Sequence, residues 1–143
     1  MPSEFELSVL TPERSFFTGK AVSVSIKAID GFITIWARHT AMATALDIGE
    51  LTIRTRNETL IAFHSKGFME VLDNQVSILV QACEWPEDID VKRAEEAKKR
   101  AETRLSSEGI KTAAGNKIAL SRALTRLKVK RDAKKDKRSK TSE

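Results

Sequence analysis

The sequence is poor in reactive and metal-binding side chains, with one cysteine, two histidines and no tyrosine among 143 residues. The single cysteine, Cys83, excludes an internal disulfide and a multi-cysteine metal site. His39 and His64 leave little for a zinc or iron site. No apolar run approaches the roughly 20 residues that a membrane span needs. Residues 1–10 alternate acidic and apolar without a basic start, so we expect no secretory signal.

Proline and charge are both distributed unevenly along the chain. All three prolines, Pro2, Pro12 and Pro86, precede residue 87. Residues 1–91 hold 7 basic and 13 acidic residues, a net charge of −6, whereas residues 92–143 hold 18 basic and 7 acidic residues, a net charge of +11. This asymmetry is hidden in the total of +5 and indicates two structural units with different surroundings.

The acidic part has the apolar–polar alternation that is typical of β-strands. Four such runs begin at Phe5, Val22, Leu51 and Val76. Turn dipeptides, among them Asp30-Gly31 and Asp73-Asn74, separate the runs. Short strands at this spacing predict a β-sandwich over about residues 1–86, not a sheet flanked by helices.

Nothing in the β part indicates an enzyme active site. The sequence contains no GxxxxGK[ST] or GxGxxG loop, and its two histidines lie in different β segments. Cys83, at a strand end, is interpreted as a small core residue, with a reactive thiol as the alternative. His64 alternates with Ala62 and Leu60 and is expected to be a packed histidine with its ring nitrogens hydrogen-bonded.

The basic part predicts two amphipathic helices over about residues 87–131, joined by about ten residues into an antiparallel hairpin. The first apolar stripe consists of Val91, Ala94, Ala97, Ala101 and Leu105, and the second of Leu120, Ala123, Leu124 and Leu127. Ser106 to Gly109 should end the first helix, and the second should follow Gly115-Asn116. The stripes are narrow and largely alanine, so we expect a weakly held hairpin. The basic tail, 132–143, is predicted to be unstructured.

Several motifs occur in a recognisable order over about residues 4–130. They are LSVLTPE at 7–13, DG at 30–31, RHT at 38–40, ATALDIGEL at 43–51, GFMEV at 67–71, NQVSILV at 74–80, EDIDVKRA at 87–94 and ALSRALTRL at 119–127. In number and order they make the chain resemble the epsilon subunit of the F-type ATP synthase, which mitochondrial naming calls delta.

The resemblance implies a non-catalytic subunit of the central stalk. In that family the β-sandwich lies on the gamma subunit and the ring of c subunits, and it couples ring rotation to the catalytic head. The helical hairpin folds onto the sandwich, or extends along gamma and inhibits ATP hydrolysis through the catalytic alpha and beta subunits. The implied location is peripheral, on the cytoplasmic face of a bacterial plasma membrane, since no transit peptide is present. The alternative for the hairpin is a weakly packed element without a switching role.

The resemblance also implies a regulatory ATP site, although no cofactor is required. Some bacterial members bind ATP through an Ile-Asp-x-x-Arg-Ala stretch and two arginines on the second helix. The matching residues are Ile89, Asp90, Arg93, Ala94, Arg122 and Arg126. Two arginines four residues apart share a helix face, where a triphosphate can join them. Alternatively, Asp90 caps the helix and the two arginines pair with Glu95, Glu96 or Glu102.

The segment that the family places on the c ring departs from the family pattern. Ala37 and Ala41 stand where prolines are usual, and Phe32 stands where an acidic residue is often found. We therefore expect a less rigid loop and a more apolar contact surface. The candidate c-ring contact residues are Phe32, Trp36, Arg38, His39 and Met42. The alternative is that Trp36 and Met42 belong to the core.

Two other classes of protein and one additional role are alternatives to this interpretation. A nucleic-acid-binding protein fits the basic tail, but residues 92–143 contain no aromatic side chain for stacking on bases. An enzyme with a hidden site lacks a visible nucleophile, base or metal constellation. Attraction of the tail to anionic lipid is a third role that is compatible with the main one.

Overall fold

The chain is described from a computed structural model, which covers residues 2–107 and 110–141, the side chains of 107, 110–113 and 135–141 excepted. Two compact units form, Met1–Glu84 and Trp85–Glu143. The first is built of strands and the second of helices. The predicted class, a β-sandwich followed by two helices, is confirmed.

Ten strands occur in the part of the first unit that the structure describes. They are β1 (Phe5–Leu10), β2 (Ser15–Ala21), β3 (Ser23–Ala28), β4 (Gly31–Trp36), β5 (Met42–Leu46), β6 (Gly49–Arg54), β7 (Thr59–His64), β8 (Gly67–Leu72), β9 (Gln75–Val80) and β10 (Cys83–Glu84). Their order is β10-β7-β6-β3-β5-β8-β9-β1-β2, with β4 paired to β3. The neighbours are antiparallel except β1 and β9, which run parallel.

Strand β3 connects the two halves of the sandwich. Along one edge it pairs with β4 over its whole length. On the other edge Val24 pairs with Ile53 of β6, whereas Ala28 at the strand end pairs with Leu46 of β5. A strand that changes partners along its length forms a corner between two packed sheets.

The core follows the predicted alternation. In β1, Phe5, Leu7 and Val9 are buried, while Glu6 between them is exposed. The same inward set is confirmed on β3, β6 and β9, where the buried residues are Val24, Ile26, Ala28, Leu51, Ile53, Val76, Ile78 and Val80. Strand β7 differs, because Ala62, Phe63 and His64 are buried in succession, so both of its faces are covered at that end.

His64 is a hydrogen-bonded core histidine, as predicted. Its Nε2 accepts the backbone N–H of Lys27 at 3.2 Å, and its Nδ1 lies 3.1 Å from the carbonyl oxygen of Ser65. Since Nε2 is the acceptor, the proton belongs on Nδ1, which donates to Ser65. Burial lowers the pKa of His64 to about 4, so the ring is neutral and ties β3 to β7.

Cys83 opposes His64 in the β7–β10 pairing and is buried. Burial raises the pKa of its thiol to about 12. A thiol with this pKa is almost wholly protonated near neutral pH and is a poor nucleophile. The prediction of a small core residue is therefore confirmed.

The helical unit begins with a 3₁₀ turn, Pro86–Asp88, followed by α1 (Val91–Ser107) and α2 (Ile110–Thr141). The prediction of a joint of about ten residues is wrong, because α2 starts at Ile110 and continues through Gly115 and Asn116. One glycine costs a helix only about 1 kcal/mol, which its neighbours offset here.

The prediction of an unstructured tail is also wrong as far as Thr141, because α2 continues to that residue. After Gly115 the sequence has no glycine or proline, and lysine, arginine and alanine are good helix formers. The expectation for residues 142–143, and that for the turn residues 108–109, lie outside the described residues.

The predicted stripes are borne out in part. Ala94, Ala101 and Ala123 are buried, but Leu124 is 45% exposed, so its inclusion in the second stripe was wrong. Val129 is fully buried although no stripe included it. The apolar residues of α2 are therefore not confined to one face, which makes period counting unreliable along this helix.

Candidate functional site

The first candidate surface is the outer side of strand β4. Ile33 and Ile35 turn toward the interior, so Phe32 and Trp36 face outward and are 59% and 53% exposed. The ammonium of Lys27 lies over the ring of Phe32, 5.1 Å from its centre. The core alternative for Trp36 does not hold, and the surface is apolar with a positive charge at its edge.

The other predicted members of this surface lie in and after the segment that follows β4. Arg38 is exposed and has a φ of 64°, in the left-handed region that few non-glycine residues adopt. Nδ1 of His39 lies 2.8 Å from the carbonyl oxygen of Thr40. Met42, the first residue of β5, is half-buried.

Sequence reasoning missed two residues at this surface. Ile29, at the tip of the β3–β4 hairpin, is 62% exposed. Asn74 accepts a hydrogen bond from the backbone N–H of Arg38 at 2.8 Å, which supports the segment from another turn. The turn dipeptide Asp73-Asn74 is visible in the sequence, but nothing in the sequence indicates that Asn74 binds Arg38.

The second candidate site lies in the helical unit, where four of the six residues predicted to bind ATP lie at the start of α1: Ile89 and Asp90 directly precede the helix, and Arg93 and Ala94 lie in its first turn. Oδ1 of Asp90 accepts the backbone N–H of Arg93 at 3.1 Å, so Asp90 is the helix cap that one alternative reading expected. Ile89 and Ala94 are buried and serve packing. Arg93 is exposed.

Helix α2 supplies the other two residues, Arg122 and Arg126. Nζ of Lys130 donates to the carbonyl oxygen of Pro86 at 2.8 Å, so α2 returns antiparallel to the start of α1. Arg122 and Arg126 precede Lys130 by about two turns and one turn, which places them alongside the first residues of α1. Arg122 is exposed and Arg126 is half-buried.

A cavity of about 480 Å³ opens on the helical unit but does not coincide with these six residues. It is lined by Lys92, Glu95, Glu96, Lys98, Lys99, Glu102 and Leu127. Within this lining, Nζ of Lys98 lies 4.0 Å from Oε1 of Glu102, one turn further along the same helix. Because the lining contains both lysines and glutamates, its charges do not indicate that the cavity binds an anion.

The described residues contain neither a cluster of metal-ligating side chains nor a helix of membrane-spanning character. Among those residues, no group of three or more histidine, cysteine, aspartate or glutamate side chains is arranged to hold a metal ion. In the same residues, no helix combines the length and apolar character needed to cross a membrane.

A β-sandwich followed by a long helical pair defines the class of protein, and two family models match its two parts. The model described as ATP synthase, Delta/Epsilon chain, beta-sandwich domain matches residues 4–86. The model described as ATP synthase, Delta/Epsilon chain, long alpha-helix domain matches residues 87–131. The chain belongs to the ATP synthase delta/epsilon family.

Two relatives agree with this assignment. A protein named ATP synthase epsilon chain from Clostridium kluyveri is 41% identical over 128 residues, which covers 89% of this chain and 97% of the relative. One of the same name from Ruminiclostridium cellulolyticum is 39% identical over 124 residues, 86% of this chain and 92% of the relative.

Two solved structures share the fold at low sequence identity. A chain of the mitochondrial ATP synthase of Euglena gracilis, in a structure of its OSCP, F1 and c-ring, has a TM-score of 0.79 and 20% identity, covering 87% of this chain and 80% of its own. A chain of the central stalk and c-ring structure from Tetrahymena thermophila has a TM-score of 0.61 and 18% identity, covering 90% and 98%.

Proposed function

We propose that this chain is a non-catalytic central-stalk subunit of an F-type ATP synthase, which couples proton-driven rotation of the c ring to ATP synthesis in the catalytic head. The observation that carries the proposal is the match of both units to the delta/epsilon family, together with 41% identity over 97% of a relative named ATP synthase epsilon chain. Its partners are then the gamma subunit and the c ring, with the catalytic subunits reached by the helices.

Co-expression with a cognate gamma subunit tests the stalk assignment. The two chains should elute together on gel filtration and separate only under denaturing conditions. Elution of the two as separate species, with each one folded by circular dichroism, would reject the assignment.

The outer side of β4 is proposed as the surface toward the c ring. Large exposed apolar side chains need a partner surface, and Phe32 and Trp36 are each more than half exposed. The double variant Phe32→Ser, Trp36→Ser should weaken retention of the subunit on c-ring-containing membranes. The variant Leu124→Ser removes an apolar side chain of comparable exposure from the helical unit and should leave that retention unchanged. Equal retention of both variants would reject the surface.

Inhibition of ATP hydrolysis is assigned to the helical unit. The buried side chains that pair its helices are largely alanines, including Ala94, Ala101 and Ala123, and each buries little apolar area. At about 25 cal/mol per Å², such packing stabilises the closed helical pair by only a few kcal/mol, which is the range that a reversible switch requires.

Truncation of the chain after residue 87, in the assembled enzyme, tests this role. ATP hydrolysis should rise relative to the enzyme with the full chain, while co-elution with gamma persists. Unchanged hydrolysis with persistent co-elution would remove the inhibitory role and leave the coupling role in place.

Regulatory ATP binding is a second candidate function. The observation in its favour is the antiparallel return of α2, which brings the turns that carry Arg122 and Arg126 back toward the start of α1. In this proposal the guanidinium groups of the arginines contact the phosphates through charge-assisted hydrogen bonds, while Asp90 caps α1 and Ile89 and Ala94 are buried.

Isothermal titration of the full chain with ATP tests this site. The wild-type chain should give a saturable heat of ATP binding, and the double variant Arg122→Ala, Arg126→Ala should give none. The variant Arg131→Ala removes an exposed arginine from the same helix and should bind as the wild type does. The absence of heat up to millimolar ATP would reject the site.

A further inference from the structure

A hydrogen bond connects α2 to the turn that precedes α1, at the end of the helical pair where no covalent connection joins the two helices. Nζ of Lys130 donates to the carbonyl oxygen of Pro86 at 2.8 Å, across 44 residues of sequence. The same oxygen also accepts the backbone N–H of Ile89 at 3.2 Å. Lys130 is half-buried, so water competes less for its ammonium than at a fully exposed site.

The position of this hydrogen bond determines how strongly it can affect separation of the two helices. At the opposite end, α1 and α2 are joined covalently, with two residues between Ser107 and Ile110. At the Pro86 end no covalent link exists, so separation of the helices begins there. Ile89 and Val129 flank the bond in sequence, and both are buried.

The buried apolar side chains along the rest of the helical pair are mostly small. The buried positions along it include Ala94, Ala101 and Ala123, each with a single methyl group. A hydrogen bond from a charged donor contributes more than a methyl contact does, commonly about twice as much as a neutral hydrogen bond. One such bond at the open end therefore shifts the closed population substantially.

We propose that Lys130 is a clasp that holds α2 against the start of α1 and sets how often the helical pair opens. Its effect on catalysis rests on the proposed inhibitory function, whereas the clasp itself does not. Lys130 acts as a positioning residue: it touches no reacting atom and controls the arrangement of the helix that carries it.

Amide hydrogen exchange on the full chain tests the clasp. Lys130→Met keeps the length and apolar stem of the side chain and removes the donor. Amides of α2 between about residues 120 and 134 should then exchange about tenfold faster, while those of the β-sandwich are unchanged. Lys134→Met, at an exposed position of the same helix, should change these rates less than about twofold.

Lys130→Arg supplies the decisive comparison, because arginine retains a charged donor. It should restore at least part of the protection that Lys130→Met loses. Equal exchange in Lys130→Met and Lys134→Met would overturn the clasp. If Lys130→Met lost the helicity of α2 altogether, failure of Lys130→Arg to restore it would also overturn the proposal.

ATP hydrolysis of the assembled enzyme separates the clasp from the proposed function. A chain that opens more readily should inhibit more strongly, so Lys130→Met should lower hydrolysis about two- to fivefold, whereas truncation after residue 87 raises it. Faster exchange with unchanged hydrolysis would keep the clasp and reject inhibition by the helices.

Discussion

The backbone N–H of Arg38 donates to Oδ1 of Asn74 at 2.8 Å, which joins the segment after β4 to the turn between β8 and β9. Nδ2 of Asn74 donates to the carbonyl oxygen of Glu4 at 3.0 Å, and the Asn74 carbonyl accepts the N–H of Glu6 at 3.2 Å. One side chain thus restrains the loop that contains Ala37 and Ala41.

Replacement of Asn74 should therefore destabilise the sandwich. Asn74→Ala loses two hydrogen bonds and places alanine at a φ of 61°, where the left-handed backbone penalises it. We expect the free energy of unfolding in urea to fall by about 2 kcal/mol. Asn74→Gly keeps the backbone conformation and should lose about 1 kcal/mol, which isolates the side-chain bonds. Equal losses in the two variants would contradict a conformational contribution.

The buried His64 should make the protein sensitive to acid. Its pKa is about 4 in the folded chain and about 6.5 when unfolded, because burial disfavours the charged ring. Between about pH 6.5 and 4, His64 therefore binds a proton in the unfolded chain but remains neutral in the folded chain. The contribution of His64 is complete above pH 6.5 and is lost as pH falls toward 4, by roughly 3 kcal/mol in total.

The two histidines provide a matched comparison for this prediction. Urea unfolding at pH 7.5 and 4.5 should show a smaller acid-induced loss of stability in His64→Gln than in the wild type. His39→Gln removes a histidine from the segment after β4 and should retain the wild-type loss. If His64→Gln lost as much stability on acidification as the wild type, His64 would not be the responsible group.

The inward residues of the strands could be predicted because burial follows a local period of two, as at Leu7 and Ile78. The partners of β3 could not, since pairing depends on residues far apart in sequence. The bonds of Arg38 to Asn74 and of Lys130 to Pro86 span 36 and 44 residues and leave no trace in local pattern.

The roles of residues in the candidate sites could be predicted from the sequence only where they depend on local structure. The capping role of Asp90 was one of the two alternatives that the sequence left open, because capping is local to one turn. The exposure of Trp36 was not decided by sequence, because an aromatic residue suits either a core or a contact surface.

Gly67 is required by the close pairing of β8 and β9, where it opposes Val80. A Cβ at this position would collide with the carbonyl oxygen of Leu79 and lie 2.7 Å from the Cα of Val80. Because both are backbone atoms of a paired strand, Gly67→Ala should cost about 3 kcal/mol in urea unfolding. At Gly19 the nearest contact is 3.5 Å, to the ring of Phe17, so Gly19→Ala should change stability by less than about 0.5 kcal/mol. Similar losses in both variants would contradict the steric argument.

Gly115 gives the opposite expectation, because it lies inside α2 and nothing stands within 4 Å of where its Cβ would be. Alanine restricts the unfolded chain without a clash, so Gly115→Ala should stabilise the helical unit by about 1 kcal/mol. Thermal unfolding followed by the helical circular dichroism signal should show a higher Tm. Ala114→Gly, at the exposed neighbouring position, should lower the Tm by a comparable amount. A lower Tm in Gly115→Ala would mean that the helix does not run continuously through this residue, and the predicted start of the second helix after Gly115-Asn116 would then be correct.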